Sequence, residues 1–336
     1  MLSEKLQSKV DLYKMIYFHL KNKMKWKISD SRILVAIASL YVINNRSLDL
    51  SRFMHLSHYI KNNVDICSTL RSQHRFTVAS MLDVRFNNPE SKFHECLEIY
   101  KKMIRKGFAR GEFTYLAAII MLSNTIEKDI YDHIIDRSLE IYRGMSQKHF
   151  FLTSKSDYPL AVLLASRNES NENVLHNIEE IYERLNKTGF SKGNDLQSLS
   201  HILSLEKYTD TNLLIDRSIQ LYQALDKFDF NPSPMHYSSI GMLALLKDGI
   251  SELNTIQIMM NQLSLETQFK WNKEMNFMIA VNLLMSTKLD NAYMIETGIY
   301  SLMDAIIKAQ QTAMLAVVSS SSISAAIQGS DSSPSY

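Results

Sequence analysis

Three groups of side chains in this sequence have the types and spacing to do chemistry. Asp129, Asp132, His133 and Asp136 fall at i, i+3, i+4 and i+7, so a helix would carry all four on one face. Carboxylates and imidazole placed in this way can ligate a divalent metal. They serve equally as an acidic first turn that complements the positive end of a helix dipole, and that use is the expected one. His55 and His58 form an H-x-x-H pair one turn apart, but no third ligand lies in the same element. No metal or other cofactor is expected.

The third group is basic. Arg71 and Arg75 are one helical turn apart, so both guanidiniums can reach one anion. Arg110 follows at a similar stage of the next segment with Arg105 and Lys106, and Lys25, Lys27 and Arg32 occupy that stage of the preceding one. If Arg71, Arg75 and Arg110 share a surface, they form a site for an anion or an acidic partner. The competing use, and the favoured one, is pairing within the same segments with Asp65, Asp83 or Glu112.

Catalytic signatures are otherwise missing. The chain has no G-x-G-x-x-G, no phosphate loop, no H-E-x-x-H and no C-x-x-C. None of its histidines follows a glutamate by three residues, which removes the Glu-x-x-His of di-iron bundles. Thirty-seven basic residues against 35 acidic ones leave a net charge of +2, too balanced to drive binding to nucleic acid or an anionic membrane, though a local basic face remains open. Two cysteines, Cys67 and Cys96, fit a reducing cytoplasm better than a disulfide-built domain. The first residues lack the apolar core of a signal peptide. The apolar run from Thr312 to Ile327 is diluted by Ser319–Ser322 and falls short of the roughly 18 to 20 residues that span a bilayer.

The elements that must position these residues recur on a clock. Ile-Tyr or Leu-Tyr pairs end at Tyr100, Tyr142, Tyr182 and Tyr222, at intervals of 42, 40 and 40 residues, and Tyr300 lies near two further periods. Backward from Tyr100, Tyr59 and Phe18 each come 41 residues earlier. Eight residues after each aromatic stands a second large apolar or soft group: Trp26, Cys67, Phe108, Phe150, Phe190 and Phe230. The phrase Ile135-Asp136-Arg137-Ser138-Leu139-Glu140-Ile141-Tyr142 returns almost unchanged at Ile215–Tyr222. The unit near Met259 and Met260 is degenerate, with Phe269 and Trp271 near its second marker.

Asn, Asp and Ser clusters close each unit at Asn44–Ser47, Asn87–Pro89, Ser123-Asn124, Arg167–Asn171, Thr209-Asp210, Lys247–Gly249 and Ser286–Lys288. Gly107 and Gly189 sit where a left-handed residue ends a helix. Within units the apolar residues keep helical spacing, as in Phe93, Leu97, Tyr100 and Ile104. Only 9 glycines and 5 prolines occur, too few for the turns of a sheet protein. Each unit therefore reads as helix A, a bend, helix B and a turn. At about 40 residues it matches the roughly 40–47 of HEAT-type pairs.

The expected fold is all-α: tandem helical hairpins, about seven pairs over residues 1–311, stacked as an α-solenoid or closed as a bundle, then an apolar and Ser-rich tail over 312–336. The tyrosines are expected to pack the seams and the Asp136-Arg137 and Asp216-Arg217 pairs to set the stacking register.

Ser68–Asp83, Gly107–Ala118 and the end from Gln310 onward resemble a family of unknown function from bacillus-type Gram-positive bacteria, across nearly the whole chain. That resemblance implies no activity, ligand or active residue. Leu97–Phe108 followed by Phe113-Thr114-Tyr115 is similar, more weakly, to a pentatricopeptide repeat. That likeness implies binding of single-stranded RNA, one base per unit. The longer period and the missing basic excess depart from it. The expected function is a cytoplasmic module that binds a protein or peptide without catalysis. A metal- or anion-binding helical enzyme and a single-stranded RNA binder are the alternatives, and neither nucleic acid nor a membrane is the expected partner.

Overall fold

The computed structural model describes residues 1–29, 31–123, 128–148, 152–206, 209–228, 230–266, 269 and 273–290. The described residues form helices and turns with no strand. In chain order the α-helices are α1 (Glu4–Met24), α2 (Ser31–Ile43), α3 (Leu50–Asn62), α4 (His74–Arg85), α5 (Pro89–Lys106), α6 (Glu112–Ser123) and α7 (Tyr131–Lys148). They continue with α8 (Tyr158–Ala165), α9 (Asn171–Lys187), α10 (Asn194–Ser204), α11 (Thr211–Asp226), α12 (Tyr237–Ala244), α13 (Leu253–Ser264) and α14 (Lys273–Asp290).

The polar clusters start helices by accepting backbone N–H groups that the first turn leaves free. Asp49 accepts from Arg52, Asn88 from Ser91, Ser170 from Asn173 and Asp210 from Asn212. Gly107 ends α5 at φ 115°, a conformation that costs a side-chain-bearing residue steric strain. One expected turn does not form: Ser286–Lys288 lies inside α14, with Ser286 and Thr287 buried and their hydroxyls bonded back to the Leu283 carbonyl.

Odd and even helices differ in a way that decides the layering. In α9 only Val174, Ile178, Ile181, Tyr182 and Leu185 are buried, a stripe along one side. In α8 all eight residues are buried, and so is every residue from Phe76 to Val84 in α4. A helix buried on every side must have neighbours on every side. The even helices are therefore inside and the odd ones outside.

Each odd helix packs on the even helix that follows, giving seven hairpins among the described residues. Successive even helices also pack side by side, from α2 through α4, α6, α8, α10 and α12 to α14. An open solenoid keeps its ends apart, but here α14 packs on both α1 and α2. Phe269 stacks among Tyr13, Tyr17 and Phe18, Lys9 donates to Ser286 Oγ at 2.9 Å, and Gln7 bonds Gln262. Of the two expected arrangements, the described contacts make the closed one. The expected helix around Tyr300 and the tail over 312–336 lie outside the described residues.

A closed ring of hairpins has two rims. One carries the tips, where the two helices of a hairpin join; the other carries the junctions between hairpins. On the junction rim, arginines bond carbonyls at or just beyond the ends of inner helices. Arg46 reaches the Val84 carbonyl, Arg137 donates to the Arg167 and Glu169 carbonyls at 2.7 and 2.6 Å, and Arg217 reaches Ala244 at 3.4 Å. The repeated Arg137 and Arg217 thus hold equivalent helix ends.

On the tip rim, the start of each inner helix from α4 to α12 grips the preceding tip. Gln73 accepts from Ser29, Tyr115 shares a hydrogen bond with Ser68, and Tyr158 accepts the Ala109 N–H. Gln197 donates to Thr153 and Tyr237 accepts the Ser191 N–H. The tyrosine markers contact these same inner-helix rings, Tyr142 edge-on to Tyr158 and Tyr100 stacked on Tyr115.

Candidate functional site

The basic residues divide when they are placed in the fold. Arg75 lies half-buried over the Phe76 ring at 4.4 Å. Its guanidinium donates to the Arg71 and Ser72 carbonyls at 3.1 and 2.6 Å and to Ser57 Oγ at 3.1 Å. Burial lowers its pKa from the usual arginine value, and the group serves to hold its own turn. Arg71 is exposed at that turn. Arg110 lies at the next tip and lines a cleft that neither Arg71 nor Arg75 enters. The structure therefore does not bring the three arginines into one pocket.

Two of the three carboxylates that might have absorbed them are engaged elsewhere. Asp83, fully buried, receives Arg52 Nε at 2.8 Å and the Tyr41 hydroxyl at 2.5 Å. Glu112 pairs with His74 at 2.9 Å. Asp65 lines the cleft with Arg105 and Arg110, and no ion pair joins them among the described residues.

That cleft, about 300 Å³, opens between the tip of the second hairpin and the third hairpin. Asn63, Val64 and Asp65 form one wall; Leu97, Lys101, Ile104 and Arg105 of α5 form the other. Helical spacing explains the second wall, because 97, 101, 104 and 105 share one face of α5. Its floor is the Tyr100–Tyr115 pair, stacked at 3.8 Å and nearly parallel. Burial pushes the Tyr115 hydroxyl pKa well up, so the ring is a neutral donor or acceptor at every ordinary pH. Lys101 is held by Glu98 at 2.9 Å, which leaves Arg105 and Arg110 as the cations facing the opening.

The metal candidates do not converge. Asp132 takes Lys102 at 3.0 Å and Asp136 takes Lys106 at 2.8 Å, both across to α5, while Asp129 and His133 are exposed. The Asp136 contact raises the Lys106 pKa. His55 pairs with Glu90, whereas His58 bonds the Met54 carbonyl. Among the described residues no group of three or more His, Cys, Asp or Glu side chains is placed to hold a metal ion.

Sequence reasoning missed the inner-helix aromatics Tyr115, Tyr158 and Tyr237. A signal was present: each follows its marker tyrosine by 15 or 16 residues. It overestimated the second marker, because Trp26 and Cys67 are exposed while Phe108 and Phe190 are buried. No helix among the described residues is long and apolar enough to cross a membrane.

Compared with known proteins, the chain matches, over residues 16–312, a family described as "Protein of unknown function (DUF4003)". It is also similar to "Uncharacterized protein YeaA" of Bacillus subtilis (strain 168), 37% identical over 322 residues, covering 96% of this chain and 97% of the relative. No solved structure matches it.

Proposed function

Because the chain belongs to the DUF4003 family, whose description names no activity, we propose from its own geometry that it is a cytoplasmic, non-catalytic binding module, built as a closed array of helical-hairpin repeats, that takes an acidic protein or peptide segment. One observation carries this reading. Arg105 and Arg110 face a cleft floored by stacked tyrosines, with no carboxylate in ion-pair contact among the described residues. A guanidinium presents a planar fork that binds carboxylate through two parallel hydrogen bonds. Leu97, Ile104 and the tyrosine rings supply an apolar wall for the neighbouring side chain of the same peptide. Arg71, exposed at the adjoining tip, extends the basic surface beyond the cleft.

The test is direct. A fluorescent peptide alternating glutamate with leucine is titrated with the full chain at low salt, and its anisotropy is read. Binding is expected, weakening about tenfold or more in the Arg105→Glu/Arg110→Glu variant, since like charges then face each other. Absence of binding by the unmodified chain, or undiminished binding by the variant, overturns the proposal.

A further inference from the structure

Trp26, Ile66 and Leu265 are exposed at 89, 82 and 83% of their surface. A single exposed apolar side chain needs no explanation. These three occupy the tips of hairpins one, two and seven, which are consecutive around the closed ring, so they stand on the same rim. Contacts between the tips fix their adjacency: Ser29 bonds Gln73 between the first two, and Phe269 of the seventh packs on Tyr17 and Phe18 of the first.

Folding does not require any of the three. At each tip a later residue fills the core position: Ile28 after Trp26, Leu70 after Ile66 and Phe269 after Leu265, all at 2% exposure or less. The exposed groups are surplus to the core and point away from it.

Around Trp26 the charge is basic, while Asp65 and Glu266 flank the other two. From residue 12 to residue 29 there are five lysines and no acid. Lys23, Lys25 and Lys27 are exposed beside Trp26, with Lys25 Nζ 5.4 Å from its ring. Lys14 neutralises Glu266, next to Leu265, at 3.3 Å. Asp65, next to Ile66, lines the cleft opposite Arg105 and Arg110.

We propose that this arc of the tip rim is a peripheral docking face for an anionic lipid surface, with Trp26, Ile66 and Leu265 inserted at headgroup level and Lys23, Lys25 and Lys27 on the lipid phosphates. The chemistry of the patch selects this partner. Indole settles at the boundary between hydrocarbon and water, and lysine reaches from there to anionic headgroups. Separate protruding apolar side chains with lysines beside them suit a partner that is charged at its surface and apolar just beneath. A nucleic acid would engage the lysines and leave Ile66 and Leu265 in water. An acidic peptide would need a groove, which the three tips do not form. The net charge of +2 hides the patch because acids elsewhere offset it.

The full chain is mixed with vesicles of phosphatidylcholine, with or without phosphatidylglycerol, and sedimented. Binding is expected only with phosphatidylglycerol, reversed by salt, together with a blue shift of tryptophan emission that Trp26→Ser reduces. The variants Trp26→Ser/Ile66→Ser and Lys23→Glu/Lys25→Glu/Lys27→Glu are each expected to weaken binding about tenfold or more. The cleft variant Arg105→Glu/Arg110→Glu is expected to sediment like the unmodified chain, which separates this proposal from the peptide reading. Vesicle binding that survives both rim variants overturns it, as does binding to polyglutamate or polyuridylate without binding to vesicles.

Discussion

Phe190 and Trp26 stand at corresponding places, each eight residues after a marker aromatic and each at the tip of a hairpin. Phe190 is buried against Tyr222 at 4.6 Å and Tyr237 at 4.9 Å; Trp26 is almost wholly in solvent. The difference comes from what stands nearby. In the fifth hairpin the tip is gripped by Tyr237, whose hydroxyl accepts the Ser191 N–H and whose ring covers Phe190. In the first hairpin Gln73 takes the equivalent grip, has no ring to offer, and Ile28 has already filled the core. The same sequence spacing thus makes a packing residue in one part of the ring and a free surface group in another.

Truncating the two residues probes this contrast most strongly. Phe190→Ala is expected to lower unfolding free energy by about 3–5 kcal/mol in urea denaturation, the range for emptying a packed aromatic site. Trp26→Ala should stay within about 0.5 kcal/mol of the parent, as for an unburied position. A large loss for Trp26→Ala would show that the first tip depends on the indole for its packing.

The two rims offer a second, smaller contrast. Arg137 is tied to two carbonyls and to Asn171 Oδ1 at 3.1 Å, whereas Lys23 is exposed. Arg137→Ala should cost about 2 kcal/mol, since carbonyls at a helix end lose charged donors. Lys23→Ala should be neutral within about 0.5 kcal/mol. Equal effects would erase the distinction between a rim that holds the fold and a rim free to bind.

The finest contrast is between two buried titratable groups at matching tips. Asp157 accepts the Ser154 N–H before α8, and His236 accepts the Ser233 N–H before α12. Burial pushes the Asp157 pKa up to about 7 from 3.8, the Ser154 hydrogen bond opposing it, and pulls His236 down to about 4 from 6.5. A raised carboxyl binds its proton more tightly in the folded chain, so its contribution is full below pH 3.8 and fades as pH climbs through about 7. The lowered imidazole works oppositely: its contribution is full above pH 6.5 and fades as pH falls toward about 4. Asp157→Asn keeps an acceptor for Ser154 and removes the first effect. Its Tm relative to the parent should therefore rise between pH 4 and pH 7, and a flat difference would mean that Asp157 does not titrate there.

Much of the local structure was legible in the residues. Apolar spacing marked the helices, the clusters holding Asn88, Ser170 and Asp210 marked the breaks between units, and Gly107 marked a helix end, because these signals act within one or two turns of chain. Ser286–Lys288 misled because Ser and Thr that stop a helix in water can bond back to its carbonyls when buried. The site was half legible. Arg110 was singled out, but Arg105, Tyr100 and Tyr115 join it only through the packing of α5 beside the neighbouring tip. Arg71 and Arg75 were grouped with it by charge and spacing, and the half-burial of Arg75 over Phe76 removed that residue from solvent chemistry.

By itself the sequence determined that the described chain is helical and that its helices come in pairs of about 40 residues. Those properties follow from backbone preference and periodicity, which are local. Only the tertiary structure decided that α14 returns to α1 and α2, that arginines hold one rim and that Trp26, Ile66 and Leu265 crown the other. Closure depends on the rotation between successive pairs, and that rotation is set by many side-chain contacts at once. A period gives the order of the units along the chain; it does not give the curvature that brings their ends together.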